Sequence, residues 1–246
     1  MSNPPGTLAV AWVLHARAYR ETSLLLDCLL RAHGRVSVVA RGARSARSRQ
    51  RALLQPFVPL LIDLHGRGEV RTLRTAEAAG AAYLLQGEAL ACGFYLNELL
   101  TRLLPAHEAH EALFDVYGRA LEGIAVAGSS ADLARSLRLF ERDMLGELGY
   151  ALVLDRDAVT GRLLQADAQY CYRADFGPVP DGAGQVGASH LPGRALLDFA
   201  RGEIADADLA AVRALTRAAI DILLDGRPLA SRALLRGAHM ARSPTR

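Results

Sequence analysis

Apolar and β-branched residues alternate with polar residues through the first part of the chain, a pattern typical of strands with one buried face. Val10, Trp12 and Leu14 alternate in this way in the first run. Glycine-containing turns separate several of the runs. Five short strands and a basic loop are typical of a small closed barrel such as the OB-fold, and an SH3-like barrel fits the same count. The predicted strands cover residues 7–15, 23–30, 36–40, 57–64 and 69–75.

From residue 78 onward, apolar residues recur every three or four positions, which predicts amphipathic helices. A stretch rich in glycine, proline and aromatic residues interrupts them and predicts a loop-rich or hairpin insertion. The fold class is therefore α+β: a small β-barrel domain over residues 1–80 and an all-α domain over 81–246, with the insertion over 156–190. The predicted helices cover residues 78–104, 110–127, 130–149, 192–201, 206–224 and 229–241.

Composition narrows the possible functions. All 29 basic residues are arginine, so the chain has no amine for Schiff-base chemistry and no lysine for a Walker A loop. Its three cysteines, Cys28, Cys92 and Cys171, form no CxxC pair, which favours a reducing compartment. The sequence predicts neither a signal peptide nor a membrane span, so we expect a cytoplasmic protein without a membrane partner.

Short motifs that resemble catalytic or ligand sites lack the required context. Residues 182–187 match G-x-G-x-x-G, but no strand precedes them and no long helix follows. His107 and His110 flank Glu108 without the spacing of a zinc site. We therefore expect no catalytic residue, no metal and no cofactor, and a protein that is not an enzyme. An uncharacterised enzyme with its active site in residues 156–190 is kept as a further hypothesis.

Charge is distributed unevenly along the chain, with a net charge of +7 over residues 1–80 and −6 over residues 81–160. Between Cys28 and Ile62 there are seven arginines and no acidic residue. Arginines that neutralise phosphates release counterions, so this cluster predicts a sequence-independent, salt-sensitive affinity for nucleic acid. Gly42, Ser45 and Ser48 would let a phosphate strand approach closely. The alternative is a solvated basic loop that binds nothing.

Several blocks of sequence resemble the DNA repair protein RecO family, in the same order and over most of the chain. Two of these blocks are Ala40-Arg-Gly-Ala-Arg-Ser45, near the start, and Arg227-Pro-Leu-Ala-Ser-Arg-Ala-Leu-Leu235, near the end. Further matching blocks are residues 13–19 with 21–23, 34–36, 54–57, 66–74, 95–100 and 138–141 with 145–150.

The resemblance implies an OB-fold followed by a helical domain, and a mediator associated with the nucleoid. RecO proteins bind single- and double-stranded DNA, anneal complementary strands and, with RecR, help RecA load onto DNA coated by single-stranded DNA-binding protein (SSB). Participation of RecF is left open. Many members hold zinc with four cysteines where this chain has only Cys171, so it resembles the zinc-free branch. An adaptor that mainly docks SSB and RecR, with incidental DNA binding, is the alternative function.

The basic loop and its neighbours are the predicted DNA-binding residues, since annealing requires phosphate contacts rather than base readout. Trp12 and Phe57 are candidates for base stacking, but strand alternation favours a place in the barrel core. The predicted DNA-binding residues are Arg31, Arg35, Arg41, Arg44, Arg47, Arg49, Arg51, Arg67 and Arg71.

The family's helical domain binds the acidic C-terminal tail of SSB, which ends in an apolar residue and a free carboxylate. Arg138 is the predicted partner of the carboxylate, with Leu148 as a wall of an apolar notch. Arg135 and Arg142 would attract the acidic stretch. Alternatively, Arg138 and Arg142 form intrahelical pairs with the neighbouring acids Glu141 and Asp143.

Overall fold

The computed structural model of the chain describes residues 8–46, 48, 50–66, 68–181 and 189–242, with side chains up to residue 239. The described residues form two compact units. The first contains those up to residue 125 and those from 229 onward, and the second contains residues 126–228. The first unit thus combines two separate stretches of the chain, whereas the two predicted domains are continuous stretches. The domain boundary near residue 80 stays a prediction.

Five strands close into a barrel in the first unit, in the order β1-β2-β3-β5-β4. β4 pairs with β1 in antiparallel orientation, and β3 pairs with β5 in parallel orientation. This order confirms the predicted OB-fold and the α+β class. The strands are β1 (Ala9–Tyr19), β2 (Ser23–Leu30), β3 (Gly34–Ala40), β4 (Pro59–His65) and β5 (Val70–Ala78).

The barrel interior is filled by alternate residues of the strands, as the side-chain period of two requires. Ala11 and Val13 of β1 contribute to it, and their neighbour Trp12 faces the opposite side. The β1–β2 register shifts between Val13 and His15, a bulge that bends the long first strand. The other interior residues include Leu26, Cys28, Leu30, Val36, Val38, Leu60, Ile62 and Leu73.

Helices α1 (Gln50–Leu53), α2 (Gly87–Leu103), α3 (Glu111–Val126) and α7 (Ser231–Arg242) accompany the barrel. The predicted helix over 78–104 begins later because residues 79–86 run extended, with the Tyr83 N–H donating to the Phe57 carbonyl. Buried Asn97 in α2 donates to the Leu14 carbonyl at 2.9 Å and accepts from the Tyr117 hydroxyl at 2.6 Å. This side chain thereby joins β1, α2 and α3.

The second unit contains α4 (Ser130–Glu147), α5 (Gly193–Arg201), a short 3-10 turn (Asp206–Asp208) and α6 (Leu209–Leu224). Its predicted insertion contains a three-stranded antiparallel sheet in the order β7-β6-β8. The strands are β6 (Gln169–Arg173), β7 (Gly177–Pro180) and β8 (Ser189–Pro192). The core of the unit includes Tyr170, Leu191, Leu196, Phe199, Val212 and Leu215.

Candidate functional site

The β1–β2 turn and the loop after β3 lie against each other at one end of the barrel. The Arg44 N–H donates to the Thr22 carbonyl at 2.8 Å. Its guanidinium donates to the carbonyls of Arg20 and Glu21, both at 3.3 Å. Arg44, one of the predicted DNA-binding residues, therefore also holds the two loops together.

We call three further exposed arginines of the barrel unit the basic surface: Arg17 on β1, Arg41 after β3 and Arg51 on α1. None of them forms an ion pair or a side-chain hydrogen bond with any residue that the structure describes. Their charges are therefore available to an anionic ligand.

Sequence reasoning missed Arg17 and Arg20. The strand register places Arg17 opposite Leu25, which in turn lies opposite Val39, two residues before Arg41. The β1–β2 hairpin could have revealed both arginines in the sequence. A turn directly after Tyr19 brings the end of β1 beside the residues that follow β3. The predicted first strand ended at residue 15, so this relationship was not visible.

Two other predicted DNA-binding arginines contact the protein instead, and a third is partly withdrawn from solvent. Arg31 pairs with Asp115 and lies over the Phe114 ring, 5.1 Å from its centroid. The Arg35 Nε donates to the Leu104 carbonyl at 3.1 Å. Arg71 is half-buried. A DNA-binding role for these residues stays a prediction, and the predicted residues Arg47, Arg49 and Arg67 lie outside the described residues.

Trp12 and Phe57 are both buried, so neither presents its ring to a nucleotide. Trp12 packs against Tyr117 of α3, with ring centroids 5.6 Å apart, and Phe57 packs against Phe94 of α2 at 5.4 Å. The prediction of burial is confirmed, but the place in the barrel interior was wrong, because both rings pack against helices. Strand alternation separates the two faces of a strand but does not show which of them is the barrel interior. At Trp12 the outer face of β1 is also buried, because helices cover it.

In the second unit, the predicted tail-binding arginines hold α4 to the segments around it. The Arg135 Nε donates to the Ile204 carbonyl at 2.9 Å, and the Arg142 Nη1 donates to the Phe199 carbonyl at 2.5 Å. Arg138 and Glu141 form a buried ion pair at 2.5 Å. The two intrahelical pairs weighed as the alternative, Arg138–Glu141 and Arg142–Asp143, are thus both present.

A half-open apolar pocket of about 360 Å³ lies in the same unit. Leu145 and Tyr150 line it, but the predicted wall residue Leu148 between them does not. Arg173 lies over the Phe176 ring at 5.2 Å and pairs with Asp175 of the pocket wall at 3.5 Å. Burial raises the pKa of Tyr172, so its phenol stays neutral. The pocket therefore suits an apolar side chain, with an exposed arginine beside it. Its wall includes Leu145, Tyr150, Val153, Phe176, Ala219 and Ile222.

In the part of the chain that the structure describes, no group of three or more histidine, cysteine or acidic side chains is placed to hold a metal ion. No helix there is both long and apolar enough to span a membrane.

Comparison with known proteins gives matches along nearly the whole chain. Residues 7–82 match the family model "Recombination protein O N terminal", and residues 84–233 match "Recombination protein O C terminal". DNA repair protein RecO of Nitrosococcus oceani is 44% identical over 229 residues, covering 93% of this chain and 92% of that protein. DNA repair protein RecO of Methylococcus capsulatus is 46% identical over 226 residues, covering 92% and 91%.

Proposed function

This chain belongs to the RecO family of DNA repair proteins, and we propose that it is a non-catalytic recombination mediator. It binds single- and double-stranded DNA without reading sequence, and it anneals complementary strands at the nucleoid. With RecR it helps RecA load onto SSB-coated DNA.

The basic surface is the observation that carries this proposal. Arg17, Arg41 and Arg51 are exposed, with no side-chain partner among the described residues. Guanidinium groups bind phosphate oxygens whatever the base, so such a surface is tolerant of sequence. Two strands that bind one neutralising surface repel each other less, which raises their local concentration and favours annealing.

A salt titration tests the proposal. Fluorescence anisotropy of labelled oligonucleotides would compare the wild type with the triple variant Arg17→Gln, Arg41→Gln, Arg51→Gln. We expect affinity to fall at least about tenfold and the slope of log affinity against log salt to decrease by about 2, since each lost single-strand phosphate contact removes about 0.7.

A matched triple variant controls for the loss of three positive charges. Arg119, Arg213 and Arg236 are also exposed and lack side-chain partners among the described residues, but they lie on α3, α6 and α7. Changing these three to Gln should leave the salt slope close to that of the wild type. If the two triple variants had equal effects, the basic surface would contribute to DNA binding only through the net charge of the protein.

An annealing assay distinguishes the proposed mediator function from the alternative adaptor function. The basic-surface variant should slow the pairing of two fluorophore-labelled complementary strands while it still binds an SSB tail peptide. If the wild type neither binds nor anneals DNA, and yet binds the peptide, the adaptor function takes precedence.

The apolar pocket supports the proposal of a tail-binding site. An apolar end residue fits between Tyr150, Phe176 and Ile222. Arg173 is more accessible than Arg138, whose side chain is only 7% exposed and is paired with Glu141. We therefore assign the terminal carboxylate of the tail to Arg173 in preference to Arg138.

An amidated peptide tests this assignment. The wild type should bind a tail peptide with a free carboxylate more tightly than the same peptide with a C-terminal amide. Arg173→Gln should remove that preference and leave the binding of the amide nearly unchanged. If the preference persists in this variant, the carboxylate binds elsewhere, with Arg138 the first residue to test.

A further inference from the structure

The geometry points to a base-stacking platform for single-stranded DNA at the β1–β2 turn, formed by Tyr19 and Arg20. This inference rests on the proposed DNA binding and adds to it a site that distinguishes a single strand from a duplex.

The two side chains are already in cation–π contact with each other. Tyr19 is the last residue of β1 and lies opposite Ser23 in the strand register. The Arg20 guanidinium lies over the Tyr19 ring, with its central carbon 5.2 Å from the ring centroid. Tyr19 is half-buried and Arg20 is exposed. The ring thus supports a planar cation that remains open to solvent.

The backbone holds this pair in place. Arg20 has a φ of +53°, in the left-handed region that glycine or asparagine adopts more readily than arginine. The Arg44 guanidinium donates to the carbonyls of Arg20 and Glu21, both at 3.3 Å. An arginine therefore occupies a turn position that other residues would adopt with less strain, and a second arginine stabilises that turn.

A nucleobase is the ligand that this arrangement suits. Bases stack on aromatic rings and on guanidinium planes whatever their identity, because every base has a π-face. Arg17, two residues before Tyr19, is exposed and available to an adjoining phosphate. Duplex DNA keeps its base faces stacked inside the helix. The platform can therefore contribute to the binding of single strands and not to that of intact duplex.

An abasic oligomer gives the direct test. Oligodeoxythymidine and an abasic strand of the same length carry the same phosphates, so the ratio of their affinities reports base contacts alone. We expect the wild type to prefer oligodeoxythymidine by about tenfold. Arg20→Lys keeps the positive charge but removes the planar guanidinium group, and it should lower that preference to about twofold or less.

Matched variants make the result specific. Arg119→Lys, on α3 and outside the basic surface, should keep the full preference. Tyr19→Leu removes the ring that supports Arg20 and should lower the preference, whereas Tyr19→Phe retains the ring and should keep it. Because both ligands are measured on the same protein sample, partial unfolding of a variant cancels from the ratio.

Two results would overturn the inference while leaving the proposed function intact. One is a wild type that binds both oligomers equally and still anneals DNA. The other is an Arg20→Lys variant with the full preference. A wild type that binds neither oligomer nor duplex would instead refute the proposed DNA binding, and the platform with it.

Discussion

The Glu98 carboxylate of α2 accepts hydrogen bonds from both the backbone N–H and the side-chain hydroxyl of Ser231, at 2.8 and 2.5 Å. Ser231 is the first residue of α7. The Ala230 N–H also donates to this carboxylate, at 3.0 Å. Helix N-termini leave N–H groups without backbone partners, and here the cap comes from a helix far away in the sequence. Glu98 thereby fastens the C-terminal helix to the barrel unit.

Glu98→Ala should lower the free energy of unfolding by about 1 to 2 kcal/mol, the usual effect of losing a helix cap. Urea denaturation monitored by circular dichroism would measure it. Ser231→Ala should cost less, and the double variant should cost less than the sum, because the two residues share a hydrogen bond. Glu122→Ala, an exposed acid on α3, is the matched control, and an equal loss there would contradict the capping role.

The contribution of Glu98 should depend on pH. Burial raises its pKa, but hydrogen bonds from Ser231 and Ala230 and the charge of Arg102 outweigh burial, so the pKa lies below its ordinary value. A lowered carboxyl pKa stabilises the folded state above the unfolded pKa, and the effect is lost as pH falls through the folded value. The stability difference between wild type and Glu98→Gln should therefore shrink in acid. A difference that grows as pH falls would contradict this.

Gly34→Ala and Gly42→Ala should have very different effects on stability. Both glycines have a positive φ, +65° and +68°. A Cβ on Gly34 would overlap the backbone carbonyl of Glu108, whereas a Cβ on Gly42 meets nothing within 4 Å. We expect a loss of about 1 kcal/mol for Gly42→Ala, from backbone strain, and at least about 3 kcal/mol for Gly34→Ala. Thermal unfolding of the two variants would measure the difference, and similar losses would argue against the contact with Glu108.

Trp12 should not respond directly to DNA. It is the single tryptophan of the chain, is 6% exposed and packs against Tyr83, Phe114 and Tyr117. Its emission should be blue-shifted in the folded protein and little quenched by acrylamide, and saturating oligonucleotide should change it only slightly. Strong quenching by single-stranded DNA would show that a base reaches this ring.

The three cysteines should be unreactive in the folded protein. Cys28, Cys92 and Cys171 form no disulfide and are buried. Burial, with a smaller effect of the Asp27 charge, raises the pKa of Cys28 to about 12, so hardly any thiolate is present at pH 8. Ellman's reagent should detect three thiols in guanidinium chloride and almost none in native buffer. Rapid native labelling of Cys28 would indicate that the barrel opens.

The strands of the barrel could be predicted from the sequence because alternation is a local property of β-structure. The choice between an OB-fold and an SH3-like barrel could not be made from alternation, and only the family resemblance implied it. It depends on the β1–β4 and β3–β5 pairings, which join segments with no mutual signal in a single sequence. The insertion shows the same limit, since its composition indicated loops or a hairpin and tertiary packing produced a three-stranded sheet.

By itself, the sequence determined where positive charge is concentrated, because net charge is a sum over residues and needs no coordinates. Only the tertiary structure decided which arginines are free. Arg31 is paired with Asp115, 84 positions away, and Arg135 with Asp206, whereas Arg17 and Arg41 have no such partner among the described residues. A guanidinium is most available to DNA when no carboxylate or carbonyl from elsewhere in the chain binds it, and the fold decides which of these groups lie nearby.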